Sequence, residues 1–113
     1  MSRCECIGWW QQKAFGRQPM HQLVIYFQQS QIQGSGIDLI APFTLSGAVR
    51  PDGAVEIVKL YAARHSVLYV GQYDGEGTFY GTWDIDGHQG QWSIKIIRSE
   101  GQSEIQDQKI DDV

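Results

Sequence analysis

The stretch from Glu56 to Trp83 constrains the fold more than any other part of the chain. It contains three short runs of β-branched and aromatic residues, joined by compact turns at 62–64 and 74–77. Short extended runs separated by tight turns are typical of an antiparallel meander. The sequence therefore predicts three consecutive antiparallel strands here, and the fold of the whole chain has to accommodate them.

The two faces of this meander differ in polarity, because side chains alternate across a strand. One face comprises Val55, Ile57, Lys59 and Tyr61 on one strand and His65, Val67, Tyr69 and Tyr73 on the next. The other face carries Val58, Leu60, Leu68 and Val70. A solvated face would be less aromatic, and a plain core would lack lysine and histidine. We therefore expect the first face to line a polar-tipped cavity inside a curled sheet.

Five more strand candidates complete the pattern. They are the apolar or alternating runs at 7–15, 21–28, 31–40, 42–49 and 91–97. Glycines within the third run indicate a bulge or bend. The links are of hairpin length and no helix is convincing, so parallel pairing is excluded. Closure removes both edges of such a sheet. The sequence thus predicts an all-β, eight-stranded antiparallel up-and-down barrel, with a two-sheet sandwich as the alternative.

One domain accounts for the length, since 113 residues support a single modest core. We assign the barrel to residues 1–98. Residues 99–113 are polar and acidic, and we predict a flexible tail there. Cys4 and Cys6 precede the first predicted strand and are interpreted as free thiols on a frayed N-terminus. A Cys-X-Cys pair rarely closes a disulfide, and no second pair completes a zinc site.

Charge and motifs restrict the classes of partner. The formal net charge is −4 without a Lys/Arg cluster, so neither nucleic acid nor an anionic membrane surface is expected as a partner. No apolar run reaches the ~18 residues of a membrane span, and the N-terminus lacks the features of a secretory signal. A cytoplasmic location is therefore expected. No nucleophile elbow, phosphate loop or metal-ligand spacing is present, so we predict no catalytic residues, metal or cofactor.

Part of the meander resembles the avidins. The resemblance is carried by Tyr61, His65-Ser66, Gly71-Gln72-Tyr73 and Trp83, and the opening Gly8-Trp9-Trp10 resembles the first strand of avidins and lipocalins. It extends over this stretch and the opening only. The resemblance implies a calycin-type barrel that holds a small ligand.

The departures from the avidin pattern argue against biotin as that ligand. Gln11 stands where avidins have an asparagine that grips the ureido group, and Ile57 replaces a tryptophan of the pocket wall. Leu68 replaces a threonine, and no aspartate occupies the last strand. Only Ser66 and Trp83 match ligand-contacting positions.

The resemblance and the alternation pattern disagree about strand register. An avidin-like register would turn Ser66 and Leu68 inward, whereas alternation groups His65, Val67 and Tyr69 with the lysine of the preceding strand. A slip of one residue exchanges the two faces. We favour the second register because Leu68 suits an outer contact surface better than Tyr69 would.

We predict a ligand site inside the barrel. Its candidate residues are Trp9, Asp38, Lys59, Tyr61, His65, Tyr69 and Trp83. Lys59 would supply charge, the tyrosines hydrogen bonds and Trp83 stacking area, so the expected ligand is a small apolar or aromatic molecule with an acidic group. The alternatives are a structural Lys59–Asp38 pair, because a buried lysine needs an anionic partner, and a Lys59 side chain that extends outward to solvent.

Three classes of function follow from this reading. Small-molecule binding is favoured, an interaction or oligomerisation module with a side-chain-filled barrel is the alternative, and an enzyme with a Lys/His/Tyr pocket is the least favoured. The outward aliphatic face would form an apolar patch large enough to need covering. We therefore also predict a homo-oligomer, either a dimer or a tetramer.

Overall fold

The computed structural model describes residues 2–62 and 64–101, and every regular secondary-structure element within them is a β-strand. The strands are β1 (Ser2–Gln12), β2 (Gly16–Gln28), β3 (Gln31–Ile37), β4 (Pro42–Val49), β5 (Ala54–Tyr61), β6 (Ser66–Tyr73), β7 (Thr78–Ile85) and β8 (His88–Gly101). Each strand pairs antiparallel with the next, and β1 also pairs with β8, so the sheet is closed. The predicted all-β up-and-down barrel is confirmed.

The first and last strands extend further than the sequence predicted. β1 begins at Ser2, between β2 and β8. Cys4 and Cys6 therefore lie within the barrel wall, with buried free thiols, and the prediction of a frayed N-terminus was wrong. β8 continues to Gly101, beyond the expected domain boundary at residue 98. The remainder of the predicted tail, 102–113, lies outside the described residues.

Alternation at the N-terminus explains the longer first strand. Arg3 and Glu5 face outward, and Arg3 Nη1 lies 3.3 Å from carboxylate oxygens of Glu5 and Glu100. Cys4, between these two residues, and Cys6, the residue after Glu5, are buried and face the core. Burial raises the pKa of the Cys6 thiol to about 12. Cys6 therefore remains protonated and packs as a small apolar side chain.

The inward face of the meander is the predicted one. Buried side chains on β5 and β6 are Val55, Ile57, Lys59, Tyr61, Val67 and Tyr69. Lys59 pairs with Val67 across the two strands, whereas Ser66 and Leu68 are exposed. The register favoured from alternation is therefore confirmed, and the avidin-like register is not formed. His65 differs from its predicted group, since it precedes β6 and is exposed.

The irregularity expected on β3 lies on its neighbour. The β2–β3 register shifts between His21 and Val24, and Gln22 has a φ of 51°. The glycines of β3 serve close packing instead. A Cβ at Gly36 would lie 2.7 Å from Cζ of Phe43. Glycine therefore makes room for the Phe43 ring inside the barrel.

The two ends of the barrel are filled differently. Near the end where the chain begins, Phe27 and Phe79 stack with ring centroids 5.7 Å apart, and Tyr73 lies 4.4 Å from Phe79. Aromatic side chains of this size fill the interior there. The opposite end is formed by the β1–β2, β3–β4, β5–β6 and β7–β8 connections. It contains the polar cluster and the cavity.

Candidate functional site

The connection between β3 and β4 turns a carboxylate into the barrel. Asp38 follows the last residue of β3, and its N–H donates to the carbonyl oxygen of Ala41 at 3.3 Å. The N–H of Ile40 donates to Asp38 Oδ1 at 2.9 Å. Aspartate commonly closes a turn by accepting a bond from the backbone two residues on. One carboxylate oxygen is thus used by the turn, and Oδ2 is left for the interior.

Three donors from other strands converge on Asp38 Oδ2. Lys59 Nζ lies 2.6 Å away, the hydroxyl of Tyr61 donates at 2.7 Å, and Trp10 Nε1 donates at 3.0 Å. The side chains of Lys59 and Asp38 are both fully buried. The structural Lys59–Asp38 pair, which the sequence analysis gave as an alternative to a ligand-binding lysine, is therefore present. Asp38 neutralises the charge of Lys59, which we had expected to serve a ligand.

The remaining contacts of the ammonium group are also with protein. Lys59 Nζ donates to the Tyr69 hydroxyl at 3.1 Å and lies 3.7 Å from Met20 Sδ. It also lies over the ring of Phe43, 4.3 Å from the centroid, and over that of Tyr61 at 4.8 Å. An ammonium group has three donors, and cation–π contacts add electrostatic stabilisation. Lys59 is therefore fully engaged within the cluster.

Burial and pairing determine the charge states of the cluster. Desolvation alone would raise the pKa of Asp38, but the hydrogen bond and charge of Lys59, together with the bond from Tyr61, hold it below the usual 3.8. Desolvation lowers the pKa of Lys59 to about 8, although Asp38 opposes the fall. Both groups are charged at neutral pH. Burial raises the pKa of Tyr61 and of Tyr69, so their hydroxyls stay protonated.

A cavity of about 120 Å³ adjoins the cluster at this end of the barrel. Its aromatic walls include Trp10, Phe15, Tyr61, Tyr69 and Trp83. Ile40, Val67 and Ile85 add aliphatic surface. The other lining residues are Gln12 and His65. The cavity therefore combines largely apolar walls with a few polar groups, as ligand pockets generally do.

The tryptophans direct their rings, and not their N–H groups, toward the cavity. Trp10 is perpendicular to Trp83, with centroids 6.4 Å apart, and nearly perpendicular to Phe15 at 6.1 Å. Trp83 Nε1 donates to the carbonyl oxygen of Gln11 at 3.0 Å, and Trp10 Nε1 is bonded to Asp38. Because both indole N–H groups are satisfied by protein, these rings offer mainly aromatic surface.

Gln12 is the polar exception in the cavity wall. It is the last residue of β1, and its Oε1 atom is buried without a hydrogen-bond partner among the described residues. Buried polar atoms are nearly always bonded, so this acceptor is an exception; it has almost no surface open to the cavity or to solvent. His65 is also polar, but it is exposed, with its ring 5.2 Å from that of Tyr61.

The structure brings together most of the predicted site residues. Tyr61, His65, Tyr69 and Trp83 line the cavity, and Asp38 and Lys59 form the cluster that adjoins it. Trp9 does not line the cavity. It lies on the outer face of β1, where the Arg17 guanidinium is 3.8 Å from its ring centroid. The tryptophan that faces inward is its neighbour, Trp10, so the prediction that Trp9 lies inside the barrel was wrong.

Sequence reasoning missed Trp10, Gln12 and Phe15. Trp10 could have been found by continuing the alternation from Cys4 and Cys6, since all three are buried on the same face of β1. That signal was lost because the cysteines were placed outside the first strand. Phe15 belongs to the β1–β2 connection, where alternation gives no guide. Nothing in the sequence distinguishes Gln12 from the other glutamines of the chain.

No family model, curated protein or solved structure matches this chain. The closed eight-stranded barrel is compatible with a calycin-like fold, but the comparisons support neither avidins nor lipocalins in particular. Across 2–62 and 64–101, no group of three or more His, Cys, Asp or Glu residues could hold a metal ion. The same residues include no helix with the length and apolarity needed to cross a membrane.

Proposed function

We propose that this protein binds a small apolar or aromatic molecule in the cavity at the β1–β2 end of the barrel. The observation that supports this is the cavity of about 120 Å³, bordered by aromatic and aliphatic side chains. An engineered apolar cavity of about 150 Å³ is large enough to bind benzene. Pockets for drug-sized ligands measure roughly 300–1,000 Å³. The size of this cavity therefore favours a ligand with a single ring.

The ligand proposed here lacks the acidic group that was expected from the sequence. That expectation depended on a free ammonium group at the floor of the pocket. Lys59 is instead neutralised by Asp38, and its side chain is fully buried. A carboxylate in the cavity would lose its hydration without gaining an unpaired cation in return.

A calycin-type relationship fits the proposal, but biotin does not. Tyr61 and Trp83, two of the residues that carried the resemblance, line the cavity. Ser66, which matched a ligand-contacting position in avidins, is exposed on the outer face of β6. A ligand in the cavity therefore cannot use Ser66.

Titration with toluene, followed by tryptophan fluorescence and calorimetry, tests the proposal. Trp10 and Trp83 both line the cavity and report on its occupancy. We expect saturable binding with a Kd on the order of 0.1–1 mM, within the affinity that a few non-hydrogen atoms can supply. Val67→Phe should fill the cavity and weaken binding by more than about tenfold.

The matched control is Leu68→Phe, which adds an aromatic ring one residue away on the outer face of β6. It should leave the toluene affinity unchanged. The absence of saturable toluene binding to the unmodified protein would contradict the proposed function. So would equal affinities of the protein and its Val67→Phe variant.

A second candidate function is self-association through an outer patch on β5 and β6. The patch consists of Val58, Leu60, Leu68 and Val70, which are 36–49% exposed. Val58 and Leu68 are direct partners across the two strands, so the apolar surface is contiguous. The outward neighbours on β4, Thr44 and Ser46, carry no charge. Two carboxylates border the patch, Glu56 opposite Val70 and Asp84 opposite Leu68. Covering this patch by a second copy of the chain would remove apolar surface from water.

A further inference from the structure

A groove on the outer wall of the barrel is larger than the internal cavity. It crosses β1, β2, β7 and β8 and has a volume of about 370 Å³. That volume falls within the roughly 300–1,000 Å³ of pockets that hold drug-sized ligands. The side chains that give the groove its character are Ile7, Trp9, Arg17, Thr78, Ser93 and Lys95. The groove therefore has room for a small molecule.

Strand pairing brings most of these side chains together on the outer face. Lys95 of β8 pairs with Ile7 of β1 on one side and with Thr78 of β7 on the other. Trp9 pairs with Ser93, two residues further along β1. Residues directly opposite each other on neighbouring strands point to the same face of a sheet. An aromatic ring, an aliphatic side chain, two hydroxyl groups and an ammonium group therefore share one surface.

The side chain of Arg17 is held over this surface by two neighbours. Its guanidinium carbon lies 3.8 Å from the centroid of the Trp9 ring. Its Nε and Nη2 atoms each donate to Gln11 Oε1 at 3.4 Å. A guanidinium group has five N–H donors, so further donors are left for a ligand. Because these contacts already restrict a long side chain, an anion that binds it pays less for ordering.

The groove carries positive charge, although the whole chain has a formal net charge of −4. Arg17 and Lys95 both line it, and no acidic side chain in the described part of the chain does so. Within the same part of the chain, neither cation forms an ion pair. An anionic ligand would therefore meet two cations that are not paired with a described carboxylate.

One carboxylate outside the groove acts on Lys95. Hydrogen bonds from the backbone N–H groups of Thr78 and Glu76 hold the pKa of Asp74 below its usual range, and the charge of Lys95 adds to this effect. The field of Asp74 therefore partly compensates Lys95. Arg17 is the stronger of the two candidate anion-binding groups.

We infer that this groove is a binding site for a small organic anion, in which a carboxylate, sulfate or phosphate group is joined to an apolar or aromatic body. Arg17 would bind the anionic group, because a planar guanidinium can donate two parallel hydrogen bonds to an oxyanion. The body would pack on Ile7 and the half-buried Trp9 ring. The groove shares no lining residue with the internal cavity, so this inference is independent of the function proposed above.

Calorimetry on the full chain with phenyl phosphate and inorganic phosphate tests the inference. We expect saturable binding of phenyl phosphate with a Kd on the order of 0.1–1 mM. Inorganic phosphate lacks the aromatic body and should bind at least about fivefold more weakly. Added salt should weaken the binding of both probes, because it screens the charges of an exposed site.

Variants of the two cations' surroundings locate the site. Arg17→Gln should weaken phenyl phosphate binding by at least about fivefold, because it removes charge-assisted hydrogen bonds. Arg17→Lys retains the charge without the planar fork and should give an intermediate affinity. Asp74→Asn should raise the affinity by about two- to threefold, because it removes the charge that opposes Lys95. The matched control is Arg98→Gln, at an exposed arginine of β8 outside the groove, which should leave the affinity unchanged.

Three results would overturn the inference. The first is an absence of saturable phenyl phosphate binding, or an equal loss of affinity in Arg17→Gln and Arg98→Gln. The second is equal affinity for phenyl phosphate and inorganic phosphate, since the apolar body would then contribute nothing. The third is loss of phenyl phosphate binding in Val67→Phe, because that variant fills the internal cavity and leaves the groove intact.

Discussion

A buried ion pair responds very differently to the loss of one partner and to the loss of both. In the Lys59–Asp38 pair, the ammonium group depends on a single carboxylate for charge compensation. The carboxylate, by contrast, also accepts bonds from Trp10, Tyr61 and the Ile40 backbone. Removing the carboxylate charge should therefore cost more than removing the ammonium group.

The first prediction follows from this asymmetry. Asp38→Asn should lower the free energy of unfolding by about 3–5 kcal/mol, because it leaves a buried charge uncompensated. Lys59→Met should cost less. The double variant Asp38→Asn/Lys59→Met should recover much of the loss, since it removes both charges while retaining bulk. Urea unfolding of the four proteins measures the coupling, and strictly additive losses would contradict this account.

Acid should weaken the same cluster. The pKa of Asp38 is lower in the folded protein than its usual 3.8, so its ionised form contributes stability. That contribution is present above about pH 4 and is lost as the pH falls through the lower, folded-state pKa. Between about pH 4 and pH 2, the unfolding free energy of the unmodified protein should therefore fall more steeply than that of the double variant. Parallel pH profiles would show that Asp38 does not contribute in this way.

At the scale of strands, alternation predicted the barrel where both faces had a clear character. On one face of β5, a lysine lies between an isoleucine and a tyrosine. A purely apolar core would not contain a lysine, so this pattern indicated a buried polar cluster. Asp38 was found for a related reason, because it interrupts an apolar strand. The start of β1 was missed because two nearby cysteines are compatible either with an unstructured N-terminus or with a strand whose thiols are buried. The buried, unpaired acceptor of Gln12 was not predicted, because nothing in the sequence distinguishes this glutamine from the others.

The packing of β3 against β4 provides a test at this scale. A methyl group at Gly36 would meet the Phe43 ring at 2.7 Å and the carbonyl oxygen of His21 at 3.1 Å. Gly36→Ala should therefore lower the free energy of unfolding by about 1–3 kcal/mol through overpacking. Ser35→Ala, on the exposed face of the same strand, is the control and should change it by less than about 0.5 kcal/mol. Thermal and urea unfolding of both variants would detect the difference.

At the scale of the whole molecule, closure of the sheet restricts the ways in which copies of the chain can associate. Pairing of β8 with β1 closes the sheet, so the strands within 2–62 and 64–101 leave no open edge to which another strand could add. Association between closed barrels must therefore use side-chain surfaces. The outer patch on β5 and β6 is a suitable surface because its apolar side chains are contiguous.

We expect the protein to form a dimer at roughly tens of micromolar, a range in which modest interfaces become populated. Leu68→Lys should shift the sedimentation equilibrium to the monomer, because it places a charge in the middle of the patch. The variant should still fold, since Leu68 is exposed and lies opposite Asp84 on β7, where a lysine would face an acidic partner. Ile97→Lys, at an exposed apolar position on β8, is the matched control and should remain dimeric. A monomeric unmodified protein at these concentrations, or equal effects of the two lysine variants, would exclude the β5–β6 patch as the dimer interface.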